Sequence, residues 1–206
     1  MIKIENLGFK YSRKEPYIFN DLSIAFTRGR IYFVKGENGS GKTTLMKLIL
    51  GILKPSYGRV CVEAKLISYL PDYNGLYQYL TVMENIKYRL ALYERSFAEK
   101  KPEVENLLSK YNLSLHQDKL VKQLSRGMLK KVGLICACIV EPELLVIDEP
   151  TEGMDTESRD ELLSMMREMI RDDAVVICVT HDQMLLSSQA GIVINLTPEG
   201  AVEVED

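Results

Sequence analysis

Apolar and polar residues alternate at short range over residues 2–9, 18–26 and 31–35, and again over 59–63 and 65–70. Alternation turns one face of each run inward and the other to water, so these segments are predicted strands separated by polar or glycine-containing turns. Residues 44–50, Thr-Leu-Met-Lys-Leu-Ile-Leu, have helical spacing instead. From about residue 73 to 140 the period changes. Residues 80–93, 98–111 and 117–124 mix Lys and Glu with apolar positions three and four apart and predict helices, and another helix is expected from Ser125 to Val140. Short, fully apolar runs then return at 144–147 and 174–179, flanking an amphipathic helical stretch at 157–171 and followed by a predicted hairpin over 191–196 and 201–204. Buried strands alternating with helices imply parallel pairing. The expected fold class is α/β, as one domain over 1–206, with 1–72 and 141–206 forming the core and a β subdomain and 73–140 a helical subdomain.

Composition narrows the partners. A chain of 206 residues can bury one substantial core, and Lys+Arg 26 against Asp+Glu 29 gives a net charge of −3, which argues against a broad nucleic-acid surface. The apolar stretches at 134–140 and 174–179 fall well short of the roughly 18 residues a membrane-spanning helix needs. Residues 1–6 lack a charged start followed by an apolar core, so no secretory signal is read and a cytoplasmic location is expected. Cys61, Cys136, Cys138 and Cys178 lie in apolar surroundings without paired metal-ligand spacing and are read as reduced core thiols.

The first chemistry lies between the strand at 31–35 and the helix at 44–50. Gly36, Glu37, Asn38, Gly39, Ser40, Gly41, Lys42 and Thr43 spell a complete G-x-x-x-x-G-K-[ST] loop. Its glycines permit backbone conformations that turn consecutive N–H groups inward, and the helix N-terminus adds partial positive charge, so the loop makes a nest for phosphate oxygens. Lys42 is expected to reach the β- and γ-phosphates of a nucleoside triphosphate, and the Thr43 hydroxyl to ligate the bridging Mg2+; Thr44 completes the nucleotide-binding set. A second site is expected where the run 144–147 ends in Asp148-Glu149-Pro150. Acids at the C-terminal edge of a buried strand face the ligand side of an α/β sheet, so Asp148 is assigned to the metal and Glu149 to polarising the attacking water. Between these sites, Leu124-Ser125-Arg126-Gly127-Met128 opens the helix to Val140. Ser125 fits an N-cap, and with the Gly127 N–H it also fits a second anion site.

In this order the motifs resemble the ATP-binding cassette family, the motor subunits of ABC transporters, over nearly the full chain. The signature at 124–128, about twenty residues before Asp148-Glu149, is the most specific part. The resemblance implies that the nucleotide is ATP, that Tyr11 stacks on adenine, and that His181, after Thr180, contacts the γ-phosphate across from Glu149. It implies a head-to-tail dimer formed on ATP, either a homodimer or a heterodimer with a related cassette, in which Ser125 and Gly127 of each copy seal the other's phosphate loop. It also implies an integral membrane transporter subunit as partner, a peripheral position on the cytoplasmic face and, from Arg126-Gly127-Met128, an exporter. A regulatory or interaction module without transport is the alternative. Asp155 matches the residue along the dimer seam and fits equally as the N-cap of the following helix. Asp72 stands where the family carries a metal- and water-sensing Gln, and its added negative charge is expected to retune Mg2+ binding or closure. The loop 73–80, rich in Tyr and Leu, is open to two readings, internal packing or a docking surface for the membrane subunit.

Overall fold

A computed structural model describes residues 1–170, 173–187, 191–197 and 202–205. The strand-rich opening comprises β1 (Ile2–Phe9), β2 (Phe19–Phe26), β3 (Arg30–Lys35), then α1 (Lys42–Ile49), β4 (Tyr57–Val62) and β5 (Ile67–Leu70). It divides between two sheets. β1 is the centre of a three-stranded antiparallel sheet ordered β2-β1-β4, whereas β3 and β5 join a larger one. The helical middle holds α2 (Val82–Leu92), α3 (Phe97–Lys110) and α4 (Arg126–Cys138). The remainder runs β6 (Leu144–Asp148), α5 (Thr156–Met169), β7 (Val175–Val179), α6 (Gln183–Leu186), β8 (Ile192–Leu196) and β9 (Val202–Glu205). Arg171, expected at the end of the fifth helix, lies outside the described residues, as do residues 198–201 of the closing hairpin.

The larger sheet has the order β5-β6-β7-β3-β8-β9, parallel except for β9, which runs antiparallel to β8. Both of its faces are covered, which explains why β6 and β7 read as unbroken apolar runs rather than alternating ones. Alternate residues feed different cores. Leu145, Ile147, Val176, Cys178 and Phe33 pack with α2 to α5, while Leu144, Val146, Val175, Ile177 and Val34 pack with α1 and the antiparallel sheet. No helix among the described residues is long and apolar enough to cross a membrane.

Two expectations fail, each for an identifiable reason. Residues 117–124 do not form an α-helix; a 3-10 turn at Ser114–His116 precedes the segment and another, Val121–Gln123, lies within it. Its carbonyls are committed elsewhere, because Val82 N–H donates to the Lys119 carbonyl (3.1 Å) and Met83 N–H to that of Gln117 (2.9 Å), satisfying donors at the start of α2. Its own Val121 N–H donates back to the Leu80 carbonyl (3.0 Å), and Thr81 and Leu120 form a β-bridge. Cys61 is exposed rather than in the core, since β4 is an edge strand and residue 61 points outward. Cys136, Cys138 and Cys178 are buried, and burial pushes the first two thiols up to about 12.

Candidate functional site

Strand register assembles the site. Val179 pairs with Val34 of β3 on one side and Asp148 of β6 on the other, so the loops after these three strands leave from one level of the sheet. Two main-chain bonds continue the ladder past the strand ends: Glu149 N–H donates to the Val179 carbonyl (2.9 Å) and Thr180 N–H to the Val34 carbonyl (3.2 Å). This C-terminal edge is where open α/β sheets take ligands. A cavity of about 460 Å³ lies there, lined by Tyr11, Asn38, Gly39, Gly41, Lys42, Thr43, Thr44, Asp72, Asp148, Glu149 and His181, with Ile18 and Val179. Gly36 and Glu37 line an adjoining cavity of about 520 Å³ that shares Asn38 and His181 with the first.

The phosphate loop has the form its sequence requires. Gly41 caps α1 at φ 96°, in the left-handed region, and a Cβ there would come within 2.7 Å of the Ile18 and Phe19 side chains. No side chain caps α1, which leaves the N–H groups of its first turn available to an anion. Ser40 is only 1% exposed, and its buried hydroxyl has no partner. A buried unpaired hydroxyl beside a helix N-terminus fits a site made for phosphate oxygens. Lys42 donates through Nζ to the carbonyls of Gly36 (2.8 Å) and Glu37 (3.0 Å), drawing the loop around its own ammonium. Burial lowers the Lys42 pKa, against the pull of Glu149 and Asp148. The Tyr11 hydroxyl bonds the Thr44 hydroxyl (3.0 Å), and its ring packs edge-on against Phe9 at 5.0 Å while remaining largely exposed at the cavity mouth.

Glu149 has φ 43°, left-handed for a non-glycine residue. Its carboxylate accepts from the His181 main-chain N–H (3.2 Å) and lies 3.3 Å from His181 Nε2. Burial raises its pKa, with His181 opposing the shift. Asp148 is raised too, by burial and then by the negative charge of Asp72. The Tyr69 hydroxyl is pushed up to about 12, mainly by burial and then by Asp148. Among the described residues no group of three or more His, Cys, Asp or Glu side chains could hold a metal ion by itself. Thr43, Asp148 and Asp72 instead offer a few oxygen donors beside the phosphate nest, the pattern that suits Mg2+, which keeps water and takes its other ligands from substrate phosphates. Asp72 currently turns Oδ1 to its neighbour's Tyr73 N–H (2.7 Å).

Ser125 and Gly127 do not join this cavity. Ser125 caps α4, its hydroxyl accepting from Met128 N–H (3.3 Å), and Gly127 faces Ser158 and Met154. Asp155 caps α5, accepting from Ser158 N–H (2.9 Å). The main chain of the loop 73–80 is fixed by Asn85, which accepts from Tyr77 N–H (2.8 Å) and donates to the carbonyls of Tyr77 and Thr81 (3.1 and 2.9 Å). The side chains of Tyr73, Tyr77 and Tyr79 are 74%, 52% and 76% exposed. Sequence reasoning missed Lys130, whose Nζ donates to the carbonyls of Asp72 (2.8 Å) and Glu149 (2.9 Å). Its signal was a pair of lysines in a helix otherwise apolar from Leu129 to Val140, the second of which, Lys131, pairs with Glu161 (2.6 Å).

Comparison with known proteins gives this geometry its relatives. The sequence profile described as ABC transporter matches residues 19–152, more than half of the chain. An ergothioneine transport ATP-binding protein of Helicobacter pylori is 33% identical over 195 residues, covering 89% of this chain and 91% of its own. A putative ABC transporter ATP-binding protein of Clostridium tetani is 34% identical over 88% of this chain, which spans only 44% of that longer relative. More distant relatives include proteins named for import of spermidine/putrescine and of ferric ions. A solved ATP-binding subunit of an ABC transporter superposes with a TM-score of 0.86 at 25% identity, covering 100% of this chain and 90% of that one. The profile match over more than half of the chain and the relative covered almost end to end show that the chain belongs to the ABC transporter ATP-binding family.

Proposed function

We propose that the chain binds Mg-ATP in the cavity at the sheet edge, hydrolyses it, and so powers a transporter whose membrane-crossing part is a separate protein. The observation that carries this reading is the Glu149 carboxylate, held by His181 in one cavity with Lys42, Thr43 and Asp148. The N-terminal amides of α1 and the Lys42 ammonium offset phosphate charge. Thr43 and Asp148, with Asp72 nearby, would hold the Mg2+, which neutralises charge on the phosphate oxygens when bound. Glu149 accepts the proton of the attacking water; its raised pKa makes it a stronger base than an exposed carboxylate. Tyr11 offers its exposed ring face to the adenine, and His181 stands at the mouth where the γ-phosphate would lie.

Ser125 and Gly127 sit at the start of α4, away from their own phosphate loop, so their use as an anion site calls for a second cassette. This supports a head-to-tail dimer closed by ATP, with an identical chain or a related cassette. The proposed working position is peripheral, on the cytoplasmic face of a membrane. The division into a core (1–72 and 141–206) and a helical subdomain (73–140) belongs to the same reading. Export was the direction expected from the signature; since relatives named for import share the family, the function proposed is transport, with direction left to the membrane chain.

Two experiments test the parts particular to this sequence. Asp72→Gln removes a negative charge beside Asp148 and is expected to raise the Mg2+ concentration for half-maximal hydrolysis severalfold, as about 1 kcal/mol of Coulomb attraction is lost. Superimposable Mg2+ curves would take Asp72 out of the metal site. The exposed tyrosines supply amphipathic area at low entropic cost, and the docking reading expects Tyr73→Ala with Tyr77→Ala to weaken co-purification with the membrane subunit by about tenfold or more, while ATP hydrolysis by the isolated chain persists. Undiminished co-purification would reject this surface.

A further inference from the structure

Glu149 is asked to hold a base in a fixed place from a backbone that a residue with a Cβ adopts only where its surroundings impose it. Four bonds impose it. Its N–H donates to the Val179 carbonyl and its carboxylate accepts from His181 N–H, both partners being in or just beyond β7. The Glu149 carbonyl takes the other two: a local one from Glu152 N–H (3.3 Å) and a shorter one from a different element, Lys130 Nζ of α4, at 2.9 Å. The same ammonium donates to the Asp72 carbonyl at 2.8 Å, just past the end of β5. Lys130 is 7% exposed and thus ties the loops after two neighbouring parallel strands to the helix that Ser125 caps.

The charges facing this ammonium are the carboxylates of Glu152, Asp72, Glu149 and Asp148. A compact ammonium on a flexible stem can serve two carbonyls and several carboxylates at once, whereas an apolar side chain would leave the Asp72 carbonyl without this donor, the Glu149 carbonyl with only the longer bond from Glu152 N–H, and the carboxylates uncompensated. We infer that Lys130 is a positioning residue for hydrolysis: it fixes the left-handed main chain of Glu149 against the Asp72 loop and so aims the base. The inference rests on the reading of Glu149 as the base and adds a residue that acts on the reaction only through it.

The test compares steady-state ATP hydrolysis by the full chain carrying K130M or K130Q with that of the unaltered chain, alongside binding of a fluorescent non-hydrolysable ATP analogue. A misaimed base forfeits part of the roughly 10²–10⁴-fold that a general base supplies. The expected kcat is therefore about tenfold or more below the unaltered value, with KM and analogue affinity within about threefold. In the E149Q background, K130Q is expected to add less than about twofold. Should K130M fail to melt cooperatively, K130Q decides alone, because its amide can remain solvated in the cavity that Lys130 shares with Asp72, Arg126 and Glu152. A kcat within about twofold of the unaltered chain overturns the proposal, as does weakened analogue binding that accounts for the lost rate, or a full independent loss on top of E149Q. An unaltered chain that binds ATP and never hydrolyses it, with its membrane partner present, would overturn the base reading first and this proposal with it.

Discussion

Glu149→Gln is expected to cut the rate of ATP hydrolysis by roughly 10²–10⁴-fold while leaving nucleotide binding in place. The substitution keeps the length and shape of the side chain, and its amide oxygen can still accept from the His181 main-chain N–H that now holds the carboxylate at 3.2 Å. The bonds that fix the residue's backbone, from Lys130 and to Val179, involve main-chain atoms and survive. What disappears is the group that takes a proton from water. Because ATP is proposed to complete the contact between two cassettes, blocking its cleavage should also trap the paired state. Steady-state phosphate release together with light scattering at saturating Mg-ATP reads both effects. Hydrolysis at the unaltered rate would remove Glu149 from the chemistry, and a monomer under those conditions would remove ATP from the dimer contact of the isolated chain.

Lys42→Met should act earlier in the cycle, on binding. The Lys42 ammonium is mostly buried and donates to the Gly36 and Glu37 carbonyls, so it both shapes the loop and brings a positive charge to the phosphates. A charge-assisted hydrogen bond contributes about 1.5–3 kcal/mol, so losing it should weaken ATP roughly 10- to 100-fold, and loss of the loop's internal bonds works in the same direction. Ligand that binds only the folded state raises its melting temperature, so at Mg-ATP of about 100 times the unaltered chain's Kd the rise should fall to about half for a tenfold weakening and to a small remainder for a hundredfold one. An equal rise in both proteins would mean that the nucleotide lies elsewhere.

The candidate site was legible in the sequence wherever its geometry is local. The loop 36–43 needs glycine at positions with unusual backbone angles and Lys-Thr at the first turn of a helix, and all of these are neighbours along the chain. The same is true of an apolar run ending in Asp148-Glu149, and of Ser125 and Asp155, whose capping bonds span three residues. Element type followed the period of apolar positions, except at residues 117–124. There a helical pattern yielded because the carbonyls it needed were drawn to the start of α2, a demand set by a neighbour more than thirty residues earlier.

The sequence by itself determined that this chain carries a phosphate loop, an acid pair and a hydroxyl-capped signature helix, in the order of one family. Short-range geometry dictates each of these motifs, so each survives as a string. Only the tertiary structure decided which of them share a cavity. The register of β3, β6 and β7 brings Lys42, Asp148, Glu149 and His181 to one sheet edge and leaves Ser125 and Gly127 outside it. It also sent Cys61 outward on an edge strand and turned Lys130, rather than the adjacent Lys131, into the acid cluster. Those outcomes depend on which face of an element meets which neighbour, and the energy that selects the face comes from burial and charge contributed by residues far away along the chain.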